Sequence, residues 1–119
     1  MQQFDHEKLD VYQTAVEWVA LAQQIVAEML GAHGHGPLAD QLQRAASSIT
    51  LNIAEGAGEF SSAEKARFYR IAKRSATECA AILDVAQRRC CLADEHLCKG
   101  RSLLLRVVGM LIKLTKAHS

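Results

Sequence analysis

Between Leu9 and Leu30 apolar side chains return at Leu9, Tyr12, Val16, Val19, Val26 and Leu30, a spacing of three and four broken only at Gln23. Residues three or four apart share one face of an α-helix, so this spacing predicts a first helix from Leu9 to Leu30. A second stripe through Val11, Ala15, Trp18, Ala22, Ile25 and Met29 runs beside it. The apolar face is therefore wider than one packing seam requires, and the helix is expected to meet more than one neighbour. The segment "GAHGHGP" then brings three glycines and Pro37 together, and proline suits the first turn of a following helix. A second helix is predicted from Pro37 to about Glu55, with Leu38, Leu42, Ala45, Ile49, Asn52 and Ile53 inward. Ala46, Ser47, Ser48 and Ala54 keep that helix slim enough for close approach.

"SSAE" reads as a capping box, with the Ser61 hydroxyl accepting from the Glu64 amide and the Glu64 carboxylate reaching back. The third helix that it opens has an inward stripe of Phe68, Ile71, Ala72, Ser75, Cys79, Ile82 and Ala86, and ends near Cys91. Asp94 is the expected cap of a fourth helix running through Leu97, Leu104, Val108 and Leu111, apolar over much of its circumference. Four helices joined by short connections favour antiparallel neighbours. The predicted fold is all-α, an antiparallel up-down-up-down four-helix bundle forming a single domain over residues 1–119.

Composition agrees, since half the residues are apolar while only one proline interrupts the chain. The polar start "MQQFDHEKLD" lacks the apolar segment of a secretory signal, and the apolar run Val107–Ile112 is too short to span a bilayer. A soluble cytoplasmic protein is expected, with Cys79, Cys90, Cys91 and Cys98 as reduced thiols. The net charge of +1 conceals a division. Residues 1–62 carry two basic and eight acidic side chains, whereas residues 63–119 carry twelve basic and five acidic ones.

Asn52 and Glu55 lie oddly within this pattern. The amide falls on an inward stripe, and the carboxylate falls in a last turn, where the helix dipole disfavours it. The N-terminus of the third helix, with free amide hydrogens, is the expected recipient of Glu55; a ligand-binding role for the pair is the alternative. Gly56 and Gly58 are expected to close the second helix in the left-handed conformation.

"LQRAASSITLNIAEGAG" followed by "SSAEKARFYRIAKRSATECAAIL" resembles the small proteins encoded by intervening sequences in bacterial large-subunit ribosomal RNA genes. That family includes the accessory variability determinant of diversity-generating retroelements. Arg44, Asn52, Glu55 and Gly56 belong to its motif, and "FDHEKLDVYQTA" matches its opening. The resemblance implies an antiparallel four-helix bundle, a ring-shaped homopentamer and, in the retroelement branch, contact with nucleic acid. It implies no enzymatic activity.

The chemical constellations point the same way. Cys90, Cys91, His96 and Cys98 cluster in sequence, and His33 and His35 form "HGH", but neither spacing matches a zinc ligand set. No nucleophile elbow or phosphate-binding glycine loop is present. Expected cofactors and metals are therefore none. Arg67, Arg70, Arg74 and Arg88 form a basic row on the third helix, a candidate nucleic-acid surface. The bland reading pairs Arg74 with Glu78 and Asp84 with Arg88. The charge division suits a cyclic assembly in which the acidic half of one subunit faces the basic half of the next. The expected function is a non-enzymatic oligomeric scaffold that binds itself or a partner, with nucleic-acid binding as the alternative.

Overall fold

The computed structural model describes residues 2–119, which form four α-helices preceded by a short 3-10 turn at Asp5–Lys8. They are α1 (Asp10–Gly31), α2 (Gly36–Gly58), α3 (Ser62–Arg88) and α4 (Asp94–Ala117). Connections of three to five residues turn the chain back each time, so successive helices are antiparallel neighbours, and α1 packs on α4 to close the square. This is the expected all-α four-helix bundle. Among the described residues no helix is long and apolar enough to cross a membrane.

The core runs through all four helices, with Trp18, Ile25, Met29, Leu42, Ile49, Ile53, Leu83, Leu104 and Leu111 fully buried. On α1 the seam is the second stripe: Val11, Ala15, Trp18, Ala22, Ile25 and Met29 are all buried. The first stripe forms a flank, where Val16 and Leu30 are 42% and 56% exposed. On α3 the predicted Ala72, Ser75, Cys79, Ile82 and Ala86 are buried, Tyr69, Ala76 and Leu83 join them, and Phe68 and Ile71 remain half-buried, so the inward face is broader than predicted and turned slightly toward Tyr69. Aliphatic residues on adjacent positions satisfy the helical period equally well, and the contacts between helices select among them.

The termini follow local chemistry. Ser61 Oγ accepts from the Glu64 amide at 3.1 Å, so this half of the predicted capping box forms; the Glu64 carboxylate turns instead to Arg67. The end of α3 closes through paired hydrogen bonds from the Cys90 and Cys91 amides to the Gln87 and Ala86 carbonyls, with Cys90 left-handed at φ 61°. Asp94 is not the cap of α4. Ala93 holds that position, and its amide donates at 2.9 Å to Glu28, reaching across from α1. The second oxygen of Glu28 lies 2.6 Å from His96 Nδ1, so one carboxylate joins the far end of α1 to the start of α4.

Candidate functional site

The family-like motif of α2 lies along the flank that faces α3. Ser48 and Asn52 are one turn apart, and Asn52 Nδ2 donates to the Ser48 carbonyl at 2.8 Å and to Ser48 Oγ at 3.0 Å. Ser75 Oγ, on α3, donates to the same Ser48 hydroxyl at 2.8 Å. The inward amide thus finds its partners within the seam, and two short serines let the helix backbones come close enough to share a hydrogen bond. Gln41 Nε2 adds a second crossing bond, to Glu78 at 3.0 Å.

Glu55 has a different fate from the one its position suggested. Its side chain is exposed and, among the described residues, has no hydrogen-bond or ion-pair partner. Helix α2 continues through Gly58, and its terminal carbonyls are met by Lys65, whose Nζ donates to Ala57 O at 2.9 Å and Gly56 O at 3.4 Å. A cation from the first turn of α3 therefore complements the negative end of α2, the reverse of the expected carboxylate on the start of α3. Ser61 already occupies the Glu64 amide there. Replacing Lys65 by Met is expected to lower stability by ~1 kcal/mol, whereas Glu55→Ala should change it by less than ~0.5 kcal/mol. Urea titrations followed by circular dichroism measure both, and a large loss in Glu55→Ala would contradict this geometry.

Gly56 is also explained differently. Its φ is not positive; among the described residues only Gly34 and Cys90 are left-handed. A Cβ at Gly56 would lie 2.8 Å from Tyr69 Cε1 and 3.1 Å from Phe68 Cβ, so glycine here permits α3 to approach. Arg44 is exposed at the other end of the motif. The structure thus unites Asn52 with Ser48 and Ser75, places Gly56 against Tyr69, and leaves Arg44 and Glu55 facing solvent.

The basic row also lies outward, with Arg67, Arg70, Arg74 and Arg88 all exposed. Arg67 is held by Glu64 through bonds of 3.0 to 3.3 Å, and its guanidinium lies 4.4 Å from the centre of the Phe68 ring. The hydrogen bond and charge of Glu64 raise its pKa above the ordinary arginine value. Arg70, Arg74 and Arg88 have no ion-pair partner among the described residues. The two alternative pairs within α3 do not form, because Glu78 accepts from Gln41 and Asp84 faces Arg101 at 3.7 Å.

Cysteine and histidine do not converge on a shared centre. Among the described residues no three His, Cys, Asp or Glu side chains are arranged to hold a metal ion. Cys79 is fully buried, and burial pushes its thiol up to about 12, which keeps it protonated and unreactive. What sequence reading missed is Lys65, the Glu28–His96 pair and the hydrogen bonds by which Ser48 and Ser75, already placed on the slim and inward faces, meet Asn52 and each other. Only Lys65 carried a usable signal, as a lone cation in the first turn after a helix end.

What the fold and the seam define is a class: an all-α bundle whose distinctive residues knit α2 to α3. The model of the 23S rRNA-intervening sequence protein family matches residues 7–113, nearly the whole chain, and the protein belongs to that family. No curated protein shows significant similarity to it.

Proposed function

We propose that the protein is a non-enzymatic subunit of a cytoplasmic homo-oligomer, a pentamer on the family resemblance, that serves as a scaffold for assembly or partner binding. The observation that carries this reading is apolar surface on outward helix faces: Leu105 is 65% exposed, Leu30 56% and Ile112 37%. These side chains belong to helices that already bury a complete inner seam, so they are surplus to the fold of one chain. Apolar surface left over in this way suits association with further chains. Light scattering on the purified chain at micromolar concentration should give a mass several times 13.0 kDa. A single-chain mass would reject the proposal.

A second reading is favoured by Arg70, Arg74 and Arg88, exposed on one row of α3 and free of ion pairs among the described residues. Such a row can follow a phosphate backbone, in line with the nucleic-acid contact implied by the retroelement branch. Gel-shift affinity for RNA or DNA should then fall steeply with salt, with a log–log slope of about 0.7–0.9 per phosphate neutralised. Arg70→Ala with Arg74→Ala should flatten that slope. Absence of any shift at ~50 mM salt, where such contacts are strongest, would reject this reading.

A further inference from the structure

A carboxylate and an imidazole meet where α1 finishes and α4 begins. Glu28 Oε1 lies 2.6 Å from His96 Nδ1, while Glu28 Oε2 accepts from the Ala93 amide at 2.9 Å. Both oxygens are engaged, so the carboxylate is fixed against the ring. A carboxylate accepts and does not donate, so the proton of this contact belongs to Nδ1. In the neutral ring the free lone pair is then confined to Nε2. Among the described residues that nitrogen has no hydrogen-bond partner and is not sealed from solvent, and the His96 side chain is 28% exposed.

Among the described residues no other histidine has a carboxylate on its ring. His6 lies against Phe4 and Tyr12, His35 Nδ1 is buried without a partner, and His118 Nδ1 faces the Ser62 hydroxyl at 3.4 Å. His33 is simply exposed. The surroundings of His96 also suit an added anion. It is the third residue of α4, an end that no side chain caps and where the helix dipole favours negative charge. The adjacent carboxylate, Glu95, is already held by Lys99 at 3.0 Å.

We propose that His96 is a phosphoryl acceptor, taking the group on Nε2 from a phosphoramidate, a donor whose phosphorus is bonded to nitrogen. The Nε2 lone pair forms the new N–P bond while the donor's own P–N bond breaks, its electron pair leaving on the amine. The donor nitrogen is already protonated, so it departs as a neutral amine and the protein supplies no acid. The ring keeps its Nδ1 proton and becomes an imidazolium carrying the phosphoryl dianion. Glu28 is the positioning residue: it stabilises that ring charge and keeps Nδ1 from competing as the nucleophile. Because its second oxygen stays on the Ala93 amide, the start of α4 is held throughout. The product is a removable negative charge at the end of the bundle where α1 meets α4.

The probe is potassium phosphoramidate, applied to the full chain at neutral pH. Peptide mass spectrometry maps the modified histidine, and phosphorus NMR of the intact chain identifies the nitrogen that carries the group. Folded wild type should react at His96 at least ~tenfold faster than at the exposed His33, and as the Nε2 isomer alone. Unfolding in urea should erase both preferences, because it separates Glu28 from the ring. Glu28→Gln should react at His96 ~tenfold more slowly and yield both isomers, since an amide neither balances the ring charge nor requires the proton on Nδ1. His96→Gln should retain only the slow reaction of the other histidines. The proposal is overturned if folded wild type reacts no faster at His96 than at His33, or carries phosphorus on Nδ1 there. It is equally overturned if Glu28→Gln, shown to be folded by circular dichroism, matches wild type in rate and isomer. If that variant does not fold, the comparison of folded with urea-unfolded wild type decides.

Discussion

Trp18→Ala should cost ~3–5 kcal/mol of folding stability, the range for emptying a large aromatic from a close-packed core. Trp18 is completely buried on α1, and the fold is arranged around its ring. Gly100 on α4 faces it: a Cβ there would lie 3.2 Å from Trp18 Cζ3 and 2.7 Å from Leu83 Cδ1. A glycine in mid-helix costs roughly 1 kcal/mol relative to alanine, and this one makes room for the indole. The indole nitrogen has no oxygen or nitrogen partner and lies beside the thiol of Cys79 on α3. Three helices therefore meet on one side chain, and alanine leaves a cavity that none of them can fill by a local rotamer change. Against a typical total of ~5–15 kcal/mol, such a loss consumes much of the stability of a domain this size. Since Trp18 is the sole tryptophan, urea titrations of both proteins should be followed by far-UV circular dichroism. A lower midpoint at an unchanged slope is the expected result. A loss below ~1 kcal/mol would mean that the indole is not the centre of the core.

The same residues show how far a linear pattern can be read. Pro37, the "GAHGHGP" break and "SSAE" are local signals acting through local geometry, and the helices they bound are present. The choice of face is less local. On α1 two stripes satisfy the helical period, and the seam follows Trp18 because the opposing Gly100, more than eighty residues away, accepts its ring. Phe68 and Tyr69 present the same ambiguity on α3, resolved by the close approach of Gly56. Asn52 was legible as a polar residue on an inner flank, but its partners Ser48 and Ser75 belong to two helices whose register no local pattern gives. Glu55 was misread for a related reason. A helix end states which sign of charge it favours, yet which neighbour supplies that charge depends on the turn between them, and the three-residue connection brings Lys65 there.

Two glycines separated by one residue should respond in opposite directions to the same substitution. Gly58 is helical with open space where a Cβ would stand, so Gly58→Ala removes backbone freedom from the unfolded chain at no steric cost and should stabilise by up to ~1 kcal/mol. Gly56 makes the same helical gain available, but its Cβ would meet Tyr69 Cε1 at 2.8 Å, Tyr69 Cδ1 at 3.1 Å and Phe68 Cβ at 3.1 Å. The Tyr69 ring is only 2% exposed and has His118 close by, with ring centres 6.0 Å apart, so it has little room to retreat. Gly56→Ala should therefore be net destabilising. Gly56→Val, with two further carbons at the contact, should lose about 2–3 kcal/mol, the usual scale of overpacking with a β-branched residue in a helix. A second readout isolates the cause. Burial raises the pKa of the Tyr69 phenol above its ordinary value, so displacement of the ring toward solvent should bring its spectrophotometric titration back down, while Gly58→Ala leaves it where it is. If alanine at 56 and alanine at 58 stabilise alike, the approach of α3 to the end of α2 is looser than described, and the place of Gly56 in the motif has another cause.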